Sequence, residues 1–249
     1  MDTHPVDITV LFNNVPDDER LIPAHGMACL IEGLPRTVLF DTGGDGEILL
    51  ENMARLGKDP AAVDIIVISH GHWDHSGGLF TFLHKARKGI DVFLPKAVSK
   101  LFRDHAASLG ANIHVVYEPV TITEGLRSTG QLGGDDLHDS MKEQSIILDC
   151  EDGPVLITGC AHPNILDIVK TAITLVPGRI HCVLGGFHLH EAPDNQVDEL
   201  IRKLKGLGVD FMGPSHCTGE RQMEAFRAAW GDGYVPFGCG TRLQFQGAQ

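Results

Sequence analysis

The segment SHGHWDHSGG, residues 69–78, is the most informative stretch of the sequence and directly follows a β-branched apolar run that predicts a buried strand. His70 and His72 stand two residues apart, so an extended loop can turn both imidazoles the same way. Asp74 and His75 follow beyond a turn and can address a second point nearby. Because imidazole nitrogens and carboxylate oxygens are the ligands of zinc-type hydrolytic centres, the segment predicts a metal site.

Three further apolar runs are each followed, after a few small residues, by a histidine: His162, His188 and His216. Residues just beyond the carboxyl ends of strands gather at one edge of layered α/β structures, where ligands bind. We therefore expect these three histidines and His70 to converge on one site. A histidine-rich surface loop is the alternative explanation of the first segment.

Composition narrows the class of protein. The length of 249 residues predicts one domain over residues 1–249. The formal net charge of −13 disfavours nucleic acid as a partner, because an acidic surface repels phosphates. No apolar run is long enough to span a bilayer, and the first ten residues lack the features of a signal peptide, so we expect a cytoplasmic protein. The six cysteines include no C-x-x-C pair, which favours reduced thiols. The oligomeric state stays open.

Short β-branched runs alternate with amphipathic segments, which predicts mixed sheets with helices packed outside. Strands are predicted at Val6–Phe12, Ala28–Glu32, Thr37–Phe40, Val63–Ile68, Ile90–Leu94, Ile113–Tyr117, Ser145–Cys150, Pro154–Thr158, His181–Leu184 and Val209–Met212. Helices are predicted at Glu47–Leu56, Leu79–Lys88, Ala97–Leu109, Ile165–Leu175, Gln196–Leu207 and Glu220–Trp230. An Asp-Gly turn between two of the strands indicates a hairpin.

The H-x-H-x-D-H pattern after a strand, with Asp41-Thr42-Gly43 closing an earlier strand, resembles the metallo-β-lactamase-fold superfamily. Matches across nearly the whole chain resemble one branch, the 7,8-dihydropterin-6-methyl-4-(β-D-ribofuranosyl)aminobenzene-5'-phosphate synthase-like proteins. They comprise Ile8–Asn14, His25-Gly26, Leu39–Gly43, Ser69–Leu79, Thr158–Pro163, Gly185–Leu189 and His216–Gly219. The resemblance implies an α/β (α+β) fold, a four-layer αββα sandwich of two mixed β-sheets with the site at one edge.

The resemblance also implies one or two divalent metal ions, with zinc favoured and manganese or iron as alternatives. One ion would be held by His70, His72 and a third histidine, and the other by Asp74, His75 and His216. We assign His162 as the third histidine, with His138 as the alternative. Asp41 would lie behind the ligands and orient their loop.

The chain departs from the superfamily pattern at one position. Many relatives carry a bridging Asp directly after a strand-ending Gly, whereas here Cys160 follows Gly159 and Gly186 follows Gly185. A bridging carboxylate is therefore missing. Cys160 could supply a thiolate, although an inert and partly buried cysteine is the favoured interpretation.

Several side chains keep two interpretations each. His188 is predicted to line the site, as a metal ligand, a proton-transfer group or a substrate contact, rather than to pack in the core. His25 could reach the site or simply occupy a turn. Trp73 is expected to pack against its loop rather than stack on a substrate. Gln144 could bind a ligand or cap a strand, and Cys217 is expected to pack.

These residues predict a metal-dependent hydrolase that uses a metal-activated water on a phosphorylated or ester-type small anionic substrate. Asp74 would orient that water and His188 would protonate the leaving oxygen. The alternative enzyme is a transferase that condenses a dihydropterin pyrophosphate with a ribofuranosyl-aminobenzene phosphate. The alternative outside catalysis is a metal-binding sensor protein. The sequence contains no P-loop, Rossmann or serine-hydrolase motif.

Overall fold

Two mixed β-sheets form the centre of the molecule in a computed structural model that describes residues 5–133 and 141–248. The strand order of the first sheet is β13-β1-β2-β3-β4-β5-β6. Its strands are β1 (Pro5–Asn13), β2 (Met27–Glu32), β3 (Val38–Phe40), β4 (Ile65–Val67), β5 (Asp91–Pro95), β6 (Asn112–Val116) and β13 (Arg242–Gln246). Strands β3 to β6 are parallel to one another, and the pairs of β1 with β2 and β13 are antiparallel.

The second sheet has the order β12-β11-β10-β9-β8-β7. Its strands are β7 (Val120–Thr123), β8 (Leu126–Ser128), β9 (Ile146–Leu148), β10 (Val155–Thr158), β11 (Cys182–Gly186) and β12 (Phe211–Ser215). The predicted hairpin is confirmed, because β9 and β10 pair antiparallel. Strands β10, β11 and β12 are parallel, so their carboxyl ends meet at one edge.

Six helices cover the outer faces of the sheets in the described part of the chain: α1 (Gly46–Arg55), α3 (Leu79–Leu83), α4 (Lys100–Ser108), α5 (Ile165–Leu175), α6 (Asp194–Gly206) and α7 (Glu220–Trp230). The short helix α2 (Trp73–Ser76) lies within segment 69–78. One buried apolar cluster joins the first sheet to α1, α3 and α4, and another joins the second sheet to α5, α6 and α7. A third cluster fills the space between the sheets. The predicted four-layer αββα sandwich is therefore confirmed.

Two differences from the predicted elements have physical reasons. Helix α3 ends at Leu83 instead of Lys88, because the polar stretch after Leu83 has almost no apolar surface to bury against α1 and α4. The hairpin of β7 and β8 was not predicted. Its strands are short, only part of each is buried, and the alternation of apolar and polar residues is too brief to register as a strand pattern.

The layers bring strand ends of both sheets to a common edge. Segment 69–78 follows β4 of the first sheet, and the other three strand-ending histidines follow β10, β11 and β12 of the second. In the described part of the chain, no helix has both the length and the apolar character needed to cross a bilayer.

Candidate metal centre

Three imidazoles form the first half of the site. His70 Nε2 lies 3.2 Å from His72 Nδ1, and the ring of His162 lies 4.5 Å and 4.7 Å from the rings of His70 and His72, centroid to centroid. One nitrogen from each ring falls within 4.8 Å of the others. His162 Nε2 is buried and has no hydrogen-bond partner among the described residues. A buried nitrogen without a partner destabilises the folded state unless a hydrogen-bond donor or a cation binds its lone pair.

Glu143 holds the third imidazole in place. Its Oε1 accepts hydrogen bonds from the backbone N–H groups of residues 159, 160 and 161, at 3.0, 2.9 and 3.0 Å. Its Oε2 accepts from the backbone N–H of His162 at 3.1 Å and from His162 Nδ1 at 2.9 Å. Because Nδ1 carries the proton, Nε2 presents a lone pair to the site.

Four residues from three segments form the second half: Asp74, His75, Cys160 and His216. His75 Nε2 lies 3.1 Å from His216 Nε2 and 3.2 Å from Cys160 Sγ. Asp74 Oδ2 lies 3.3 Å from His216 Nε2 and 3.8 Å from His75 Nε2. All four donor atoms are within 4.8 Å of one another, and all four residues are buried.

Hydrogen bonds on the far side of each ring fix which nitrogen faces the site. Asp41 Oδ2 accepts from His75 Nδ1 at 2.7 Å and from the Ser69 hydroxyl, also at 2.7 Å. Since that hydroxyl donates to Asp41, it accepts from His70 Nδ1 at 2.8 Å. Both rings therefore turn an unprotonated Nε2 towards the site.

Asn14 fixes the ring of His216 in the same way. Its side-chain Nδ2 donates to the backbone carbonyl of His216 at 3.2 Å, which orients the amide so that Oδ1 accepts from His216 Nδ1 at 2.6 Å. With Nδ1 of each ring hydrogen-bonded on its far side, the Nε2 atoms of His75 and His216 face each other across 3.1 Å. A cation can be bound by both Nε2 atoms, so the donor set fits a divalent metal.

Burial and neighbouring charges favour neutral imidazoles and ionised carboxylates. Burial lowers the pKa of His75 to about 3 and holds the pKa of His70 well below its usual value. Burial opposes ionisation of Glu143, but the hydrogen bond from His162 Nδ1 and the charges of neighbouring imidazoles outweigh it, so the pKa of this carboxyl lies well below its usual range. These are the protonation states that bind metal.

Asp41 differs from Glu143. Burial raises the pKa of Asp41, and hydrogen bonds from the backbone and hydroxyl of Ser69 oppose that rise. Its backbone φ is 60°, and His188 and His216 each have φ of 52°, in the left-handed region that non-glycine residues rarely adopt. Such conformations persist where the surroundings over-determine them, which is common at functional sites.

The other predicted residues lie around the two halves of the site. The exposed His188 ring is 4.7 Å from the His162 ring, and His25 Nε2 is 3.3 Å from Asp74 Oδ2. Trp73 lies against Gly44 with 64% of its surface exposed. The Gln144 side chain is buried, donates to the Ile68 carbonyl at 2.8 Å and accepts from Ser128 at 2.6 Å. His138 lies outside the described residues.

Sequence reasoning missed the roles of Glu143, Asn14 and Ser69. Glu143 is the most informative omission, because a carboxylate at the entrance of an apolar strand is unusual enough to question. Its partners lie 16 to 19 residues further along the chain, so no local spacing identifies them. Asn14 is 202 residues from His216, which places that contact beyond any sequence pattern.

Comparison with known proteins agrees with this geometry. The profile of the metallo-beta-lactamase superfamily matches residues 23–216. The chain belongs to the metallo-beta-lactamase superfamily. The prediction of an enzyme of this superfamily is thereby confirmed. The match spans strands of both sheets and reaches from the residues just before β2 to His216 in the second half of the site.

Two relatives resemble this superfamily member over most of its length. The 7,8-dihydropterin-6-methyl-4-(beta-D-ribofuranosyl)-aminobenzene-5'-phosphate synthase of Methanocaldococcus jannaschii is 27% identical over 264 residues, covering 89% of this chain and 90% of its own. A crystal structure of a metal-dependent hydrolase of the beta-lactamase superfamily superposes with a TM-score of 0.81 at 26% identity, covering 97% and 99% of the chains. The predicted resemblance to the synthase-like branch is confirmed.

A third comparison concerns the fold alone. A diphosphatase of the PhnP family superposes with a TM-score of 0.67 at 16% identity, covering 98% of this chain and 99% of the other. The two-sheet sandwich is therefore shared well beyond the range of close sequence similarity.

Proposed function

We propose that this protein is a metal-dependent hydrolase acting on a small anionic substrate with a phosphoryl or ester group. The observation that carries the proposal is the pair of adjacent donor clusters in which far-side hydrogen bonds turn imidazole lone pairs inwards. The clusters lie at an edge of the sandwich where the exposed His25 and His188 give access from solvent. Cations there would attract anions despite the acidic surface of the chain.

One ion would be held by His70, His72 and His162, and a second by Asp74, His75 and His216. Zinc is our preferred ion, because imidazole with one carboxylate suits it well, and manganese or iron are the alternatives. When bound, such ions lower the pKa of water and polarise the oxygen of a phosphoryl or acyl group.

The residues of the chain supply orientation and proton transfer. Asp74 Oδ2 lies 3.3 Å from His25 Nε2 and 3.3 Å from His216 Nε2, and it would orient the attacking water. His188 is exposed beside His162 and would protonate the oxygen of the leaving group. Asp41 and Glu143 keep the ligand rings in one orientation, which removes reorganisation from the reaction.

A transferase is the second candidate. The relative from Methanocaldococcus jannaschii, similar over 89% of this chain, is named as a synthase, and its name describes a dihydropterin joined to a ribofuranosyl-aminobenzene phosphate. By this candidate the substrates would be a dihydropterin pyrophosphate and the aminobenzene phosphate. Both candidate reactions place a phosphorylated group at the same cations.

The test combines elemental analysis with product analysis. Protein purified without added metal is analysed for zinc, manganese and iron, then assayed on phosphodiester, ester and lactone substrates. We expect at least one equivalent of metal and turnover that a chelator removes and the same metal restores. The dihydropterin pyrophosphate and the ribofuranosyl-aminobenzene phosphate are then supplied separately and together. Only a transferase forms the product in which the two are joined. Stoichiometric metal without turnover in every assay would refute both proposed reactions and favour the sensor interpretation.

The cytoplasmic location, the absence of a nucleic-acid partner and the single domain over residues 1–249 stay predictions from the sequence.

A further inference from the structure

A small cavity opens beside the metal centre, between the turn that follows β10 and the loop that follows β11. Its volume is about 140 Å³, and its walls include His162 and His188, whose ring centroids are 4.7 Å apart. His162 also belongs to the first half of the site, with His70 and His72. A group attached to a phosphoryl or ester bound there would therefore have this cavity as its neighbour.

The remaining walls of the cavity are almost entirely apolar. Ala161, Ile165 and Phe187 are buried, and Leu189 is half-buried. The last lining residue, Asn164, uses its side-chain oxygen to accept a hydrogen bond from a backbone N–H at the start of α5. None of the described residues that line the cavity is Asp, Glu, Lys or Arg. The cavity therefore offers no counter-charge to a second ionised group on a substrate and favours an uncharged one.

Contacts outside the cavity hold its shape. The Phe187 ring packs edge-on against Phe226, with centroids 5.5 Å apart, and the Phe187 backbone N–H donates to Thr218 Oγ1 at 3.1 Å. Three of the lining residues, at positions 161, 164 and 188, have φ of 60°, 81° and 52°. Conformations of this kind persist where the surroundings over-determine them. The walls are therefore rigid, which lets the cavity select ligands by size.

The volume limits what the cavity can hold. An apolar protein cavity of about 150 Å³ binds benzene. At about 140 Å³, this cavity has room for one six-membered ring, or for an alkyl group of similar size, but not for a fused pair of rings. Size and polarity therefore point to the same ligand group, a single uncharged ring.

We propose that this cavity is the subsite for one uncharged ring carried by the anionic substrate. The inference rests on the proposed function and narrows its substrate class to phosphoryl or ester compounds with a monocyclic or similarly compact apolar group. The charged part would bind at the first ion, and the ring would contact Ile165, Phe187 and Leu189. Burial of the ring would add affinity without any new charged contact.

The experiment measures binding rather than turnover. The full chain is loaded with zinc and titrated in a calorimeter with methylphosphonate, phenylphosphonate and 1-naphthylphosphonate, which share the same anionic head. We expect phenylphosphonate to bind at least about 10-fold more tightly than methylphosphonate, because the cavity removes the phenyl ring from water. We expect 1-naphthylphosphonate to lose most of that gain, because its second ring has no room.

Two matched variants locate the binding of the ring. Leu189 and Leu200 are both half-buried and pack on the same apolar cluster, but of the two only Leu189 lines the cavity. Leu189→Trp fills the cavity, so this variant should lose the preference for phenylphosphonate. Leu200→Trp adds the same bulk on α6, outside the cavity walls, and should keep the preference. Circular dichroism checks that each variant is folded.

Four results would overturn the inference: no preference for phenylphosphonate in wild type, equal affinity for 1-naphthylphosphonate and phenylphosphonate, a preference that survives in Leu189→Trp, or a preference lost in folded Leu200→Trp. The comparison of ligands on wild type needs no variant. Failure of the proposed function gives a different result, because a phenylphosphonate preference without turnover keeps the subsite and removes the reaction. Turnover without the preference does the reverse.

Discussion

Replacing Glu143 with Gln is the sharpest test of how the site is held. The carboxylate accepts five hydrogen bonds, three on Oε1 and two on Oε2. An amide keeps one oxygen but places an NH₂ group on the other side. If the oxygen faces the three N–H groups of residues 159–161, the NH₂ group faces both the backbone N–H and the Nδ1–H of His162.

The magnitude follows from those two lost bonds. A hydrogen bond to a charged group contributes about 1.5–3 kcal/mol, so Glu143→Gln should destabilise the metal-free protein by about 3–6 kcal/mol. That is a large part of the total of about 5–15 kcal/mol typical of a folded domain. His162 would also lose the acceptor that keeps the proton on Nδ1, so metal affinity at His70, His72 and His162 should fall by about 10- to 100-fold.

The assay is urea unfolding of the metal-free protein, paired with a zinc titration against a chelator of known affinity. Glu151→Gln removes the same charge from an exposed position and serves as the control, with little expected change in either measurement. If Glu143→Gln unfolds at the wild-type midpoint and binds zinc as tightly as wild type, the reasoning about this carboxylate is wrong.

Three further predictions concern the same site. His72→Ala should abolish metal-dependent activity and leave circular dichroism unchanged, and full turnover by the folded variant would contradict the proposed ligand set. In metal-free protein the unfolded state protonates His75 near pH 6.5 and the folded state only near pH 3. Stability should therefore fall on acidification through that window, by up to about 1.4 kcal/mol per pH unit for this residue, and a urea midpoint that rises between pH 7 and pH 5 would disprove it. Gly159→Ala should cost about 1–3 kcal/mol, because its Cβ would lie 2.2 Å from Ser69 Oγ, whereas Gly206→Ala meets nothing within 4 Å; equal unfolding midpoints would contradict the packing argument.

Local patterns were sufficient for much of the fold. Helices α5 and α7 begin and end at the predicted residues, because Asn164 caps one through its side chain and Gly219 precedes the other. Three of the strand-following histidines come after β10, β11 and β12, which are parallel, so the residues after them lie at one edge of that sheet. The helix limits depend on neighbours within a few residues.

What could not be predicted depends on contacts between distant segments. The sequence around Asn14 does not indicate that its amide holds His216, and Glu143 acts on a turn that follows a different strand. The limits of α3 depend on how much apolar surface α1 and α4 offer, which is a tertiary property. The position of Cys160 Sγ within 4.8 Å of donor atoms from Asp74, His75 and His216 likewise depends on contacts between distant segments.

The donor atoms come from both sheets, and the first and last of them, in His70 and His216, are separated by more than half of the chain. During synthesis, the second cluster cannot be assembled until β12 has left the ribosome and packed beside β11, because His216 follows that strand. Metal capture at the second cluster would therefore be one of the last events in biogenesis, after the residues of the first cluster have all been made.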